Sequence, residues 1–286
     1  MSKIGAPRTI ALTALAMLAF AGNSILCRLA LAPGLIDPAS FSSLRLVAGA
    51  VTLCGILFLR GGGRGFGGFR ADWRAALMLF AYVALFSFAY VSLNTGVGAL
   101  ILFGAVQLTM FGFALRSGAR FSAVSWLGFA LAIGGLVYLL APGARAPDVF
   151  GAVLMAGAGV AWGLYSLRGR GVGDPLGASA GNFALAAPAG LAMSLFFLPG
   201  LHVSIEGAGL AIASGALASG CGYVVWYAAL RGLSAAHASV VQLSVPVVAA
   251  LGGVLLLAEP ASMRLILASA LTLGGVGLAL SQRARA

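Results

Sequence analysis

The sequence predicts an all-α integral membrane protein with ten transmembrane helices, arranged as two inverted five-helix repeats with both termini cytoplasmic. Three observations predict it. The chain is 61% hydrophobic and 8% charged, with a mean hydropathy of +1.06, whereas a soluble domain carries about 25% charged residues on a surface that must face water. Ten apolar runs, most near the roughly 20 residues that cross roughly 30 Å of hydrocarbon, follow one another with brief interruptions. Segments of the first half reappear in the second at a slowly drifting offset.

The runs lie near 9–31, 39–59, 74–94, 97–115, 123–141, 149–167, 176–198, 208–230, 235–257 and 263–281. Pro33-Gly34, Asp37-Pro38, Pro142-Gly143, Asp174-Pro175, Pro199-Gly200 and Glu259-Pro260 punctuate them, as residues that cannot continue a helix or that begin one. Lys3 and Arg8 ahead of run one imitate a secretory signal. The apolar character continues to Leu31, however, and the segment has a counterpart later in the chain, so it reads as the first membrane helix. The longest break is the strip from Arg60 to Arg74, four arginines set among glycines. Most other connections are short, which makes consecutive helices antiparallel neighbours.

Orientation follows from the basic residues. Lys3, Arg8, Arg60, Arg64, Arg70, Arg74, Arg116, Arg120, Arg168, Arg170, Arg231, Arg283 and Arg285 fall on one side of the runs, and Arg28, Arg145 and Arg264 on the other. The crowded side is cytoplasmic by the positive-inside rule, and an even number of spans returns the C-terminus to it. The net charge of +11 is therefore spread over membrane loops. It forms no basic stripe, and no nucleic-acid partner is expected. Cys27, Cys54 and Cys221 lie within apolar runs and show no metal-ligand spacing, so they read as packing residues.

Gly104-Ala-Val-Gln-Leu-Thr109 reappears as Ser239-Val-Val-Gln-Leu-Ser244, and Asp37-Pro38 as Asp174-Pro175. Gly134-Gly135 matches Gly274-Gly275, and Gly22 matches Gly163. These colinear matches predict a duplicated unit, 1–145 and 146–286. Because each unit holds an odd number of spans, the second copy must sit upside down relative to the first, the construction of many secondary transporters. The paired glycines give runs five and ten a shared role, either packing the repeats together or joining two copies in a homodimer.

With the five-plus-five plan go Leu44-Arg45-Leu46 early in the second run and Trp162-Gly163 in the sixth. The stretch from Ala228-Ala229-Leu230 through Ala236-His237-Ala238-Ser239 to Pro246, then Ala258-Glu259-Pro260, adds to them. On these residues the chain resembles the drug/metabolite transporter superfamily, in particular its ten-helix branch of two EamA repeats, over essentially its whole length. It departs from that pattern where Phe20-Ala21-Gly22-Asn23 stands in place of a Trp-Gly in the first helix, and where Phe111 stands opposite Pro246. The resemblance implies an exporter of amino acids and other small metabolites.

The chemistry is read from what lies inside the runs. All six acidic residues, Asp37, Asp72, Asp148, Asp174, Glu206 and Glu259, fall in loops or at helix ends. A proton relay or a lipophilic-cation site commonly needs an intramembrane carboxylate. Arg45 is the clear intramembrane cation, six residues into its run, roughly 9 Å along the axis. It is either a structural arginine held by carbonyls or a partner for a substrate carboxylate. Asn23, Tyr82, Tyr90, Gln107, Trp162, Tyr165, Tyr223 and Gln242 complete the candidate substrate-binding set. Gln107 and Gln242 hold equivalent positions in the two repeats, where paired amides could bind a zwitterion without net charge. Tyr82 and Tyr90 lie within about 80° of each other on one helical face and could line one wall. The competing account makes the aromatics interfacial belts and the amides contacts between helices. His237, early in run nine, is the candidate for a proton-sensitive gate.

The expected function is secondary transport of small neutral or zwitterionic metabolites, amino acids including aromatic ones, by alternating access around a midplane cavity. The partners are a small-molecule substrate and the lipid bilayer of a bacterial inner membrane, with no cofactor and no metal. A nucleotide-sugar carrier of the same fold is the alternative, although its dianionic substrate normally requires several buried cations and Arg45 is the one clear intramembrane cation. A cationic-drug effluxer lacks its counter-charge. An intramembrane serine protease lacks its nucleophile turn, since Ala213-Ser214-Gly215 and Ala218-Ser219-Gly220 are without the leading glycine.

Overall fold

The computed structural model describes residues 6–61, 68–118, 120–142, 146–169, 172–233 and 241–281. They form α1 (Ala6–Leu31), α2 (Pro38–Arg60), α3 (Trp73–Ala89), α4 (Thr95–Arg116), α5 (Ala123–Leu140), α6 (Val149–Arg168) and α7 (Pro175–Phe196). α8 (Ile205–Leu230), α9 (Ser244–Leu257) and α10 (Met263–Ser281) follow. Eight of these are long and apolar enough to cross a membrane, and α3 and α9 are shorter apolar helices. Among the described residues there is no strand; Ile36 and Val203 form an isolated antiparallel bridge.

Helix starts are written in the local sequence. Asp37, Asp72, Ser122, Asp148 and Ser204 each accept a hydrogen bond from a backbone N–H of the first turn, at 2.8, 2.9, 3.2, 2.6 and 3.0 Å. That meets donors which a helix N-terminus leaves without partners. Pro38 and Pro175 open α2 and α7, where the missing N–H costs nothing. Run three stops short of its apolar limit: α3 ends at Ala89, and Tyr90–Leu93 turns to the α4 N-cap Asn94.

The helices pair as α2 with α7, α5 with α10, α3 and α4 with α6, α1 with α8 and α9, α3 with α7, and α2 with α8. The α5–α10 seam is a close crossing. A Cβ on Gly128 would stand 2.5 Å from the Gly275 carbonyl oxygen, and one on Gly275 would stand 2.5 Å from that of Gly128. The two backbones touch, as small residues allow in lipid. The arginine strip is fastened to α7: the N–H of Arg70 donates to Gly177 O at 3.3 Å, and that of Asp72 to Asn182 Oδ1 at 3.0 Å. On the opposite face the N–H groups of Asp37 and Ser204 donate to His202 O and Leu35 O, joining the loop before α2 to the loop before α8.

α8 departs from α-helical form at Ser214–Cys221, which is a π-helix. Residues five apart lie about 140° from each other around an α-helix. The wider turn brings Ser214 and Ser219 to a common partner instead, both donating to Asn23 Oδ1, at 2.9 and 3.4 Å. π-segments of this kind recur at functional sites.

Candidate functional site

A cavity of ≈ 900 Å³ enters the bundle from the arginine-rich face. Its mouth is formed where α3 begins, α6 ends and α7 begins, with Arg70, Asp72, Arg168 and Pro175 at the rim. Two ion pairs cross this face: Arg168 with Asp72 at 2.7 Å, and Arg60 with Asp174 through Nη1 at 2.9 Å. The Arg168 guanidinium, assisted by the N–H groups of Arg74 and Ala75, holds the Asp72 carboxyl below the usual carboxylate range. Arg60 does the same for Asp174. A depressed folded value means stability that is present above the ordinary carboxylate pKa and lost as pH falls through the lowered one. Asp72→Asn is therefore expected to lower the thermal unfolding midpoint in detergent at neutral pH. Its difference from wild type should close on acidification below about pH 4. A difference independent of pH would show that the carboxylate's charge is not what Arg168 uses.

Deeper in, the walls become aromatic. Tyr165, Trp226 and Tyr227 line the cavity with Ser179, Asn182 and Gln107. Phe20, Trp162, Tyr223 and Gln242 line both it and a second pocket of ≈ 20 Å³ beyond, a space on the scale of one water molecule. Trp162 sits 4.9 Å from Tyr82, 5.4 Å from Tyr165 in a stack and 5.4 Å from Tyr223, while Phe20 meets Tyr223 edge-on at 6.0 Å. Phe20, Trp162, Tyr223 and Gln242, which line both, form a partition between the large cavity and the small pocket. Asn23, Ser24, Tyr82 and Phe86 lie behind it.

The candidate residues thus separate by depth. Gln107 and Tyr165 line the large cavity only. Trp162, Tyr223 and Gln242 stand at the partition, and Asn23 and Tyr82 line the inner pocket. Arg45, 1% exposed, lies one side chain behind the pocket wall, donating from Nη2 to Tyr82 Oη at 3.1 Å and from Nε to Ser219 Oγ at 3.3 Å. Its guanidinium also lies against the Tyr82 and Phe86 rings, at 5.3 and 5.0 Å. Tyr90 is elsewhere. It caps the end of α3, packs edge-to-face on Phe86 at 4.7 Å and donates to Thr95 O at 3.2 Å. His237 lies outside the described residues.

The candidate set omits Phe20, Asn182, Trp226 and Tyr227, although the last three stand among the polar and aromatic groups that the sequence places inside the runs. It also omits Asp72 and Arg168, which look like ordinary loop charges. No group of three or more His, Cys, Asp or Glu side chains converges among the described residues.

The opposite face is closed by a part-buried polar cluster. Glu259 accepts from the Thr95 N–H at 2.8 and 3.0 Å and from Thr95 Oγ1 at 3.2 Å. Arg28 pairs with Glu259 at 3.3 Å and donates to the carbonyls of Tyr90 and Val91 at 3.0 Å each. One carboxylate from the α9–α10 loop thereby joins the ends of α1, α3 and α4. The N–H of Gly151 and the Ser92 hydroxyl hold the Asp148 carboxyl below its ordinary range on the same face.

A model of the EamA-like transporter family matches residues 149–281. A Pseudomonas aeruginosa protein, uncharacterized protein PA1977, is 54% identical over 280 residues, covering 96% of each chain. A protein of known crystal structure superposes with a TM-score of 0.65 at 21% identity, over 93% of this chain and 97% of its own; this likeness concerns the fold. Apolar helices of membrane-spanning length, a cavity entering between them and the match to the family model lead to one conclusion: the chain belongs to the EamA-like transporter family of the drug/metabolite transporter superfamily.

Proposed function

We propose that this protein is a secondary transporter that exports small neutral or zwitterionic metabolites, amino acids including aromatic ones, by alternating access. The carrying observation is the ≈ 900 Å³ cavity, which runs in from the arginine-rich face and stops at the partition of Phe20, Trp162, Tyr223 and Gln242. Its volume suits a small metabolite. Its walls combine aromatic faces with amides and hydroxyls, and the Asp72 carboxylate at its mouth is engaged by Arg168.

Helix pairing supports the inverted-repeat plan of 1–145 and 146–286. Exchanging each helix with the one five places away turns the α3–α6 pair into α8–α1, α4–α6 into α9–α1, and α3–α7 into α8–α2, all of which occur. In this reading both termini and the cavity mouth face the cytoplasm of a bacterial cell, since that face holds most of the arginines. The cluster of Arg28, Glu259 and Thr95 is then the outer closure.

The test is uptake of radiolabelled amino acids into proteoliposomes, with and without an imposed pH gradient. Saturable uptake down the amino-acid gradient, unchanged by the pH gradient, is expected. No uptake of any amino acid in either condition would overturn the substrate class. Uptake only with the proton gradient would overturn gradient-driven export and make His237 the next residue to replace.

A further inference from the structure

Arg45 is buried within the bundle, and its guanidinium meets no carboxylate among the described residues. Its polar partners, Tyr82 Oη and Ser219 Oγ, are neutral, and Nη1 finds no hydrogen-bond partner among the described residues. A cation kept in such surroundings without a counter-charge is expensive, and an intramembrane ionisable group is a mark of function. The neighbouring polar groups are arranged to match. Tyr82 Oη accepts from Arg45, which leaves the phenol's own hydrogen to donate. Asn23 turns its carbonyl oxygen to Ser214 and Ser219, which leaves its NH₂ as the free end of the amide. Both side chains line the inner pocket. That pocket is walled by donors and aromatic rings, has a positive charge one side chain behind it, and among the described residues is lined by no carboxylate.

We propose that the inner pocket is a carboxylate subsite. A monoanionic carboxylate reaches past the partition of Trp162 and Tyr223 with one oxygen, which takes hydrogen bonds from Tyr82 and Asn23. Arg45 acts through Tyr82 as a positioning residue, supplying the opposite charge in a medium where Coulomb interactions are strong. The ≈ 20 Å³ of the pocket is room for about one water, so it takes an oxygen of the carboxylate and leaves the rest of the group at the partition. The remainder of the substrate stays among the aromatic walls of the larger cavity. A consequence separates this from simple recognition of a zwitterion: the site holds the acid end of its substrate and makes no matching provision for an ammonium group. The inference deepens the export reading above and rests on it.

Small monoanions could come from two sources, the substrate's own carboxylate or an inorganic ion such as chloride. In wild-type proteoliposomes, uptake of labelled phenylalanine is measured against 3-phenylpropanoate, phenylalanine methyl ester and 2-phenylethylamine. The acid without an amine should compete within about threefold of phenylalanine, and the ester and amine at least about tenfold more weakly. An ester or amine that competes as well as the acid overturns the proposal. Arg45→Gln should raise KM for phenylalanine about tenfold with a smaller effect on maximal rate, and Arg45→Lys should recover part of the loss. A fall in maximal rate alone, at unchanged KM, would mean a structural role and overturn it. Should Arg45→Gln fail to fold, Tyr82→Phe removes the donor while keeping the arginine, and the same KM criterion applies.

A second measurement does not depend on transport. Trp162 lies 4.9 Å from Tyr82, so tryptophan fluorescence in detergent can report occupancy. A saturable response to 3-phenylpropanoate, weakened in Tyr82→Phe and absent with chloride, is expected. A response to chloride but none to 3-phenylpropanoate gives the pocket to an inorganic ion and overturns the substrate-carboxylate assignment. If phenylalanine is not transported at all, the amino-acid reading fails, yet the fluorescence comparison of acid, amine and chloride still decides the subsite.

Discussion

Gly275→Leu is expected to leave little folded protein in the membrane. A Cβ at Gly275 would lie 2.5 Å from Gly128 O and 2.6 Å from Ala132 N, and the reciprocal contacts at Gly128 are equally close. The obstacles are backbone atoms, so no rotamer change relieves them. The helices must separate, and the bonds along the seam go with them: Thr272 Oγ1 to Ala132 O at 3.4 Å and Ser125 Oγ to Ala279 O at 3.3 Å. Overpacking a well-filled interior costs about 1–3 kcal/mol, and more where nothing can move. In lipid, close packing is itself the main attraction between helices. Gly274→Leu is the control, since nothing stands within 4 Å of a Cβ there. The measurement is the yield of monodisperse protein and its thermal midpoint in detergent. Equal behaviour of the two variants would show that α5 and α10 do not cross at this point.

Glu259→Gln is expected to loosen the closure opposite the cavity mouth. The carboxylate caps the first N–H of α4 and balances Arg28, with both side chains mostly buried at 11% and 17% exposure. Glutamine keeps one acceptor and loses the charge. Removing one partner of a buried pair costs about 3–5 kcal/mol; this pair is partly exposed, so a smaller figure of about 1–3 kcal/mol is expected. Even about 1.4 kcal/mol changes a two-state ratio tenfold. Cys27, fully buried beside Arg28, provides a native reporter once Cys54 and Cys221 are replaced by serine. An impermeant thiol reagent added from the Glu259 face should label Cys27 about tenfold faster in the variant. Unchanged labelling would show that Glu259 does not hold this face shut.

Most helix boundaries were legible because they depend on short-range chemistry: a capping Asp or Ser, a proline at the first position, the length of an apolar run. The end of α3 was not. Val91 and Leu93 are as apolar as the residues before them, and hydropathy does not register the turn that Asn94 and Thr95 need to start α4. The π-segment was invisible for a similar reason, since Ser214–Cys221 is simply a run of small residues. The site was legible in kind but not in membership. A helix in lipid is apolar on every side, so periodicity does not say which face meets a cavity. Tyr90 and Tyr227 are therefore alike in sequence, although one seals a helix end and the other lines the cavity. Arg45 could be recognised as a buried cation. Its dependence on Tyr82 and Ser219, 37 and 174 residues away, could not.

The two faces of the bundle differ in how water reaches their charges. Arg60, Asp174, Arg168 and Asp72 keep between 27% and 45% of their side-chain surface exposed, against 17% and 11% for Arg28 and Glu259. Dissolved ions screen exposed pairs over a Debye length of about 8 Å at physiological ionic strength and reach sheltered ones poorly. Raising ionic strength is therefore expected to relax the arginine-rich face and spare the opposite one. The molecule is thus expected to respond more to the salinity met by its arginine-rich face than to that met by the opposite face.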